Sequence, residues 1–235
     1  MSVKFTILGS GSSGNCAYVE TDQVRILVDA GFSPLQIRKR LASIGRAPEN
    51  LSAILLTHEH SDHIAGVLGL AEKFNLPVFC NRGTQDGSIW AFKTKWDSKK
   101  KPAFAGAEGV EQLKAKLDWR LFETGASFEI GDVGIETFSI PHDAQDPVGF
   151  LLHTAAGNIG FATDLGHVTK LVLERIRAAN VLVLESNHDV KMLQECPRRS
   201  WALKQRILGR HGHISNAAAA EAAAQIMSAE LRHLY

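Results

Sequence analysis

Seven residues, THEHSDH (Thr57–His63), constrain this chain more than any other stretch. They follow the apolar run LSAILL and precede IAGVLGLAEKF, whose apolar residues recur at helical spacing. A buried strand must therefore end in a loop carrying three histidines and an aspartate, and a helix must begin at once. A core cannot absorb four such side chains without partners, and a solvated loop has no need of them. Imidazole and carboxylate are ligands of zinc and related divalent ions, and a catalytic site keeps a position open for water. Residues two apart on an extended loop point the same way, so His58 and His60 can grip one ion together. Asp62 and His63, past the bend, turn toward a second ion. A single histidine here would ordinarily cap the helix; this many ligand-grade side chains point to metal.

The flanking sequence reads as alternating strands and helices. VKFTILG, NCAYVET and VRILVDA are short strands separated by GSGSSG and the region of Asp22. Ser33 caps a helix with Pro34 at its first position, running through LQIRKRLASI to a stop at Gly45. A single helix is expected after the metal-type motif as far as about Asn75, with LPVFC the next strand. Residues 84 to 115 suggest helical insertions. Strands resume at WRLFET, SFEIGDVGIETFSI, GFLLHTAAGNIGFATD and VLVLES, with hairpin turns at the GD and GN steps. Helices are expected from Arg198 to Arg210 and from Asn216 to Arg232. With no repeat and no Pro/Ser linker, one domain over residues 1–235 is the economical organisation. Two blocks of strands, each followed by helices, predict an α/β architecture of two mixed sheets packed face to face with helices outside.

Further ligands should lie at the ends of other strands, where loops gather. His142, in IPHDAQDP, and Asp164, which ends GFATD, fit that placement, Asp164 as a bridge between two ions. A net charge of +1 excludes a global attraction to nucleic acid or membrane, so any such attraction must be local. Two stretches offer it. KTKWDSKKK (Lys93 to Lys101), beside Trp90 and Trp96, pairs cations with aromatic rings as single-strand binders do. Arg198, Arg199, Lys204, Arg206 and Arg210 lead into GHIS. Three scattered cysteines suit reduced thiols in the cytoplasm, and no apolar run reaches membrane-spanning length.

HEHSDH, PHDA and ATDLG together resemble the metallo-β-lactamase superfamily, whose motif is HxHxDH with a distant His and Asp. The likeness runs the length of the chain. LGSGSSGNC, LVDAGF, LTHEHSDHIAGV, LESNHD and GRHGHISN further resemble the YycJ/WalJ-type metallo-hydrolases, nuclease-like enzymes that include 5′→3′ DNA exonucleases. The resemblance implies a four-layer αββα sandwich with metals at one edge of the sheets. It implies that His58, His60 and His142 hold one ion, that Asp62 and His63 serve another, and that Asp164 bridges. Asp62 could also orient a water nucleophile. Glu185 and His213 fall where RNase Z-type phosphodiesterases carry an acidic residue and a histidine near the leaving group, and His188 of LESNHD joins them as a catalytic candidate. Two divalent ions, zinc or manganese, and a nucleic acid substrate, single-stranded or at DNA ends, follow from the same likeness. The family's last ligand histidine follows a strand that should begin near LRHLY, where the given sequence ends. Either the sequence is truncated before that segment, or His213 or His233 substitutes. The superfamily also hydrolyses β-lactams, lactones and thioesters, and the motif alone does not separate these substrates from phosphodiesters; a non-catalytic metal-binding protein is a third class. A flavodiiron-type oxidoreductase would carry Glu where this chain has His60.

Overall fold

The computed structural model describes residues 2–97 and 106–235 and resolves them into two compact units. The first comprises Met1–Glu123 with Ile130–Asp132 and Ala144–Asp146. Its elements are β1 (Lys4–Gly9), β2 (Cys16–Glu20), β3 (Arg25–Val28), α1 (Pro34–Ser43), β4 (Ala53–Leu55), α2 (Ser61–Ile64), α3 (Val67–Phe74), β5 (Val78–Cys80), α4 (Arg82–Asp97), α5 (Gly106–Ala115) and β6 (Trp119–Leu121). The strands form one sheet in sequential order. β1, β2 and β3 run antiparallel as a meander, and β3 to β6 run parallel with helical crossovers. Continuous apolar runs such as AIL in β4 suit the parallel half, because helical crossovers cover the faces of parallel strands. Ile37 and Leu41 of α1, Val67 and Leu70 of α3, and Ile54, Leu27 and Val78 of the sheet make one buried cluster.

Local signals set the helix boundaries. Ser33 accepts a hydrogen bond from the Gln36 N–H, Pro34 occupies the first turn and the chain leaves α1 just before Gly45, as the sequence indicates. The helix expected after THEHSDH is α3, and a separate short helix, α2, lies almost wholly inside the motif. The Gly66 N–H donates to the Ala30 carbonyl at 2.8 Å and so leaves the helical ladder. Asn75, at φ 51°, ends α3 in the left-handed conformation that asparagine tolerates.

The second unit comprises Thr124–Glu129, Val133–Asp143 and Pro147–Tyr235. It contains β7 (Ser127–Ile130), whose last residue belongs to the first unit, then β8 (Val133–Ser139), β9 (Val148–Thr154), β10 (Gly157–Ala162), α6 (Lys170–Ile176), β11 (Val181–Leu184), α7 (Val190–Glu195), α8 (Trp201–Leu208), α9 (Asn216–Ile226) and β12 (His233–Leu234). Strand order is again sequential, β8, β9 and β10 antiparallel and β10, β11 and β12 parallel. Val172 and Ile176 of α6 and Ala219, Ala222 and Ile226 of α9 are buried with Leu182 and Leu151. The alanine-rich helix ends at Ile226, short of the expected Arg232. The sheet edge takes the remainder: the Arg232 N–H donates to the Asn180 carbonyl at 2.7 Å and the Tyr235 N–H to that of Leu182 at 2.8 Å. Among the described residues no helix is long and apolar enough to cross a membrane. Of the basic run from Lys93 to Lys101, residues 98–101 lie outside the described residues.

Candidate metal centre

In the first unit β4 delivers His58 and α2 delivers Asp62 and His63, with His60 at the N-cap of α2. The rings of His58 and His60 stand edge to face at 4.6 Å, and His58 and His63 lie 4.0 Å apart. The bend expected after His60 is this short helix, and it turns His63 back toward His58. Both His58 and His63 are fully buried.

Behind them stands a support that the sequence did not single out. Asp29, buried after β3 at φ 60°, accepts the Thr57 N–H at 2.9 Å through Oδ1. Its Oδ2 accepts from the Thr57 hydroxyl at 2.9 Å and from Nδ1 of His63 at 2.8 Å. With its proton on Asp29, the Thr57 hydroxyl offers a lone pair to the Nδ1–H of His58 at 3.0 Å. Engaging Nδ1 of each ring fixes the tautomer with its lone pair on Nε2, the form of imidazole that can ligate a metal. The signal was present in LVDAGF, an aspartate directly after a buried strand, but nothing local gave it a partner.

The GSGSSGN loop braces the same motif. The Gly11 N–H donates to Oδ1 of Asn15 at 2.9 Å, which orients the amide so that Nδ2 faces Nε2 of His63 at 2.9 Å and Oδ2 of Asp62 at 3.3 Å. The Asn15 N–H also donates to the Asp62 carbonyl at 2.7 Å. Gly31 closes this corner, since a Cβ there would overlap the Asp62 carbonyl.

The second unit gathers a donor set of its own. His142, Asp164 and His213 offer ligand atoms within 4.8 Å of one another. His142 follows β8 and donates Nδ1–H to the Gly212 carbonyl at 3.0 Å. Asp164 follows β10 at φ 52°, a left-handed conformation that aspartate tolerates. Glu185, at the end of β11, ties these turns together. Its Oε2 accepts the Leu165 N–H at 2.6 Å and its Oε1 accepts from Nδ1 of His213 at 2.7 Å. Burial opposes charging of His213, yet hydrogen bonds to Asp164 and Glu185 outweigh it and push the imidazole up to about 10. His188 pairs its backbone alongside Ser215 and lines a cavity of about 360 Å³ with His213. Its ring nitrogens are buried without hydrogen-bond partners, and desolvation pushes its pKa down.

His233 does not join this group. It pairs with Val181 at the start of β11, whereas Glu185 follows the other end of that strand. Of the two substitutes considered for a last ligand, only His213 stands among ligand-type neighbours. The arginine-rich segment is partly committed elsewhere: Arg206 pairs with Asp143 and Lys204 donates to the Gln194 carbonyl at 2.7 Å, while Arg198, Arg199 and Arg210 are exposed. The donor chemistry of both units, imidazoles with engaged Nδ1 atoms beside carboxylates, fits divalent metal.

A family model described as a β-lactamase superfamily domain matches residues 24–232. The chain is 37% identical over 232 residues to the exodeoxyribonuclease WalJ of Streptococcus pneumoniae serotype 2, covering 99% of this chain and 80% of that protein. It is 36% identical over 238 residues to the exodeoxyribonuclease YycJ of Bacillus anthracis, covering 100% of this chain and 81% of that one. The crystal structure of the metallo-β-lactamase fold protein YhfI from Bacillus subtilis superposes with a TM-score of 0.66 at 15% identity, over 100% of this chain and 85% of YhfI. Two mixed sheets with flanking helices, His/Asp groups of metal-binding chemistry and a match along nearly the whole chain lead to one assignment: the chain belongs to the metallo-β-lactamase superfamily and, within it, to the WalJ/YycJ-type metallo-hydrolases.

Proposed function

We propose that this protein is a metal-dependent phosphodiesterase that degrades DNA from 5′ ends, on single strands or at duplex termini. The observation that carries the reading is the likeness, along nearly the full chain, to two proteins named exodeoxyribonucleases. In this reading His58, His60 and His142 hold one divalent ion, Asp62 and His63 hold a second, and Asp164 serves both. Zinc and manganese both suit such a donor set. When bound, the ions would polarise the phosphodiester and lower the pKa of water.

The chain's own residues do the rest. Asp29 and Thr57 hold the imidazoles in the ligating tautomer. Asp62, anchored by Asn15, orients the attacking water. Glu185 takes Nδ1 of His213 and so aims Nε2 outward, where it can donate to a phosphate oxygen or to the departing oxygen. Glu185 is thereby a positioning residue, since it acts through His213 and the Asp164 turn. His188, neutral and unpartnered in the same cavity, supplies a second donor or acceptor. The reading places the enzyme in the cytoplasm, in keeping with cysteines that form no disulfide.

The test is a substrate panel on metal-loaded protein, with metal content measured in parallel. Release of 5′-nucleotides from single-stranded DNA, lost on chelation and in His58→Ala and Asp164→Ala with the fold retained, is the expected result. Cleavage of a lactone or β-lactam with no turnover of DNA would overturn the nuclease reading. One ion or fewer per chain would refute the two-metal assignment.

A further inference from the structure

Glu59 is the charged residue of THEHSDH that the metal reading leaves unused. It sits between His58 and His60 on extended chain, so its side chain points away from theirs and toward α4. There the Gln145 N–H holds its Oε1 at 2.8 Å, while Oε2 is buried with no hydrogen-bond partner. A buried carboxylate oxygen without a donor is costly, and it gains from any N–H that reaches it. The Glu59 side chain also lines a cavity of about 530 Å³ together with His60, Asp86, Gly87, Trp90 and Gln145. The terminal torsion of a glutamate is soft, so a small rotation about the Oε1 anchor presents Oε2 to that space.

Two features of α4 shape the cavity for a flat ligand. Gly87 lies in the helix interior, where glycine is disfavoured, and a Cβ at that position would overlap Cγ of Glu59. One turn beyond Asp86 on the same face, Trp90 is 69% exposed. A large aromatic ring left open to water beside His60 is a stacking platform without its stack.

We propose that this cavity is a nucleobase subsite, in which the base next to the scissile phosphate stacks on Trp90 and donates an amino hydrogen to Glu59. The inference rests on the nuclease reading above and specifies what holds the substrate's base. Adenine, cytosine and guanine carry an exocyclic amino group. Thymine presents carbonyl oxygens on either side of a single ring N–H, and these would face the carboxylates of Glu59 and Asp86. Amino-bearing bases are therefore preferred over thymine at that position.

The experiment measures KM and kcat on 5′-phosphorylated single-stranded oligonucleotides that differ only in the terminal unit: A, C, G, T or abasic. Trp90→Ala raises KM for the A-ended strand roughly 5- to 100-fold, Trp90→Phe recovers most of that loss, and neither variant matters on the abasic end. Glu59→Gln and Gly87→Ala shrink the preference for A over T. An unchanged KM in Trp90→Ala, or the same loss on the abasic end, overturns the subsite while the nuclease reading stands. If no oligonucleotide is cleaved, that reading falls and calorimetric titration with adenosine 5′-monophosphate decides the subsite. Binding weakened in Trp90→Ala and restored in Trp90→Phe supports it; equal binding in all three proteins, or none by the wild type, refutes it.

Discussion

Replacing Asp29 by asparagine tests the support behind the candidate metal centre. Asparagine tolerates the left-handed φ of 60° as aspartate does, so the backbone is not strained. Its carbonyl oxygen can still accept the Thr57 N–H in the place of Oδ1. The amide nitrogen then replaces Oδ2 and turns two N–H groups toward Nδ1 of His63 and the Thr57 hydroxyl. Nδ1 of His63 must now accept, the proton moves to Nε2, and the lone pair meant for the ion is lost. Loss of such a support lowers metal affinity by roughly 10- to 100-fold, about 1.4–2.7 kcal/mol. The assay is metal affinity by competition with a chromophoric chelator, beside thermal unfolding of the chelator-treated protein. Asp29→Asn should show the weakened affinity with an unfolding transition still cooperative. Wild-type affinity in a folded Asp29→Asn protein would refute the claim that Asp29 sets the tautomer.

Gly31→Ala should destabilise the chain by about 1–3 kcal/mol and shift the melting midpoint down by several degrees, because its methyl group overlaps the Asp62 carbonyl; an unchanged melting curve would sink the argument. Glu20 accepts from Arg46 at 2.9 Å and from the Tyr18 hydroxyl at 2.7 Å, and these partners, Arg46 first and against the cost of burial, hold its carboxyl at about 2. A depressed carboxyl stabilises the fold above its unfolded pKa and loses that contribution as pH falls through the folded one. Glu20→Gln should therefore cost stability at pH 7, and its deficit should shrink from about pH 4.5 toward pH 2; a deficit independent of pH would exclude the ionic origin.

Several candidate donors were legible because they are local. THEHSDH places three imidazoles within one loop and one helical turn, but its spacing does not show that His63 turns back to stand as near His58 as His60 does. His142 and Asp164 were legible as strand-end residues. Asp29 was not, because its meaning depends on Thr57 and His63 in another part of the chain, and sequence gives no register between β3 and β4. The break that sets α2 apart from α3 was hidden for the same reason: Gly66 leaves the ladder for the Ala30 carbonyl, a partner thirty-odd positions away. The early end of α9 shows propensity yielding to an available sheet edge, where Asn180 and Leu182 accept the chain that alanines would have kept helical.

The sequential strand order has a consequence for how the centre is made. Each strand pairs with its neighbour in the chain, so early pairings close short loops and need no distant segment. During synthesis β1 to β4 and α2 are complete once His63 and Ile64 have emerged, and with them every partner in the Asp29, Thr57 and Asn15 brace. His58 and His63 can thus have their protons assigned while His142, Asp164 and His213 are still untranslated. The hydrogen bonds that orient these two imidazoles thus depend on no residue beyond His63.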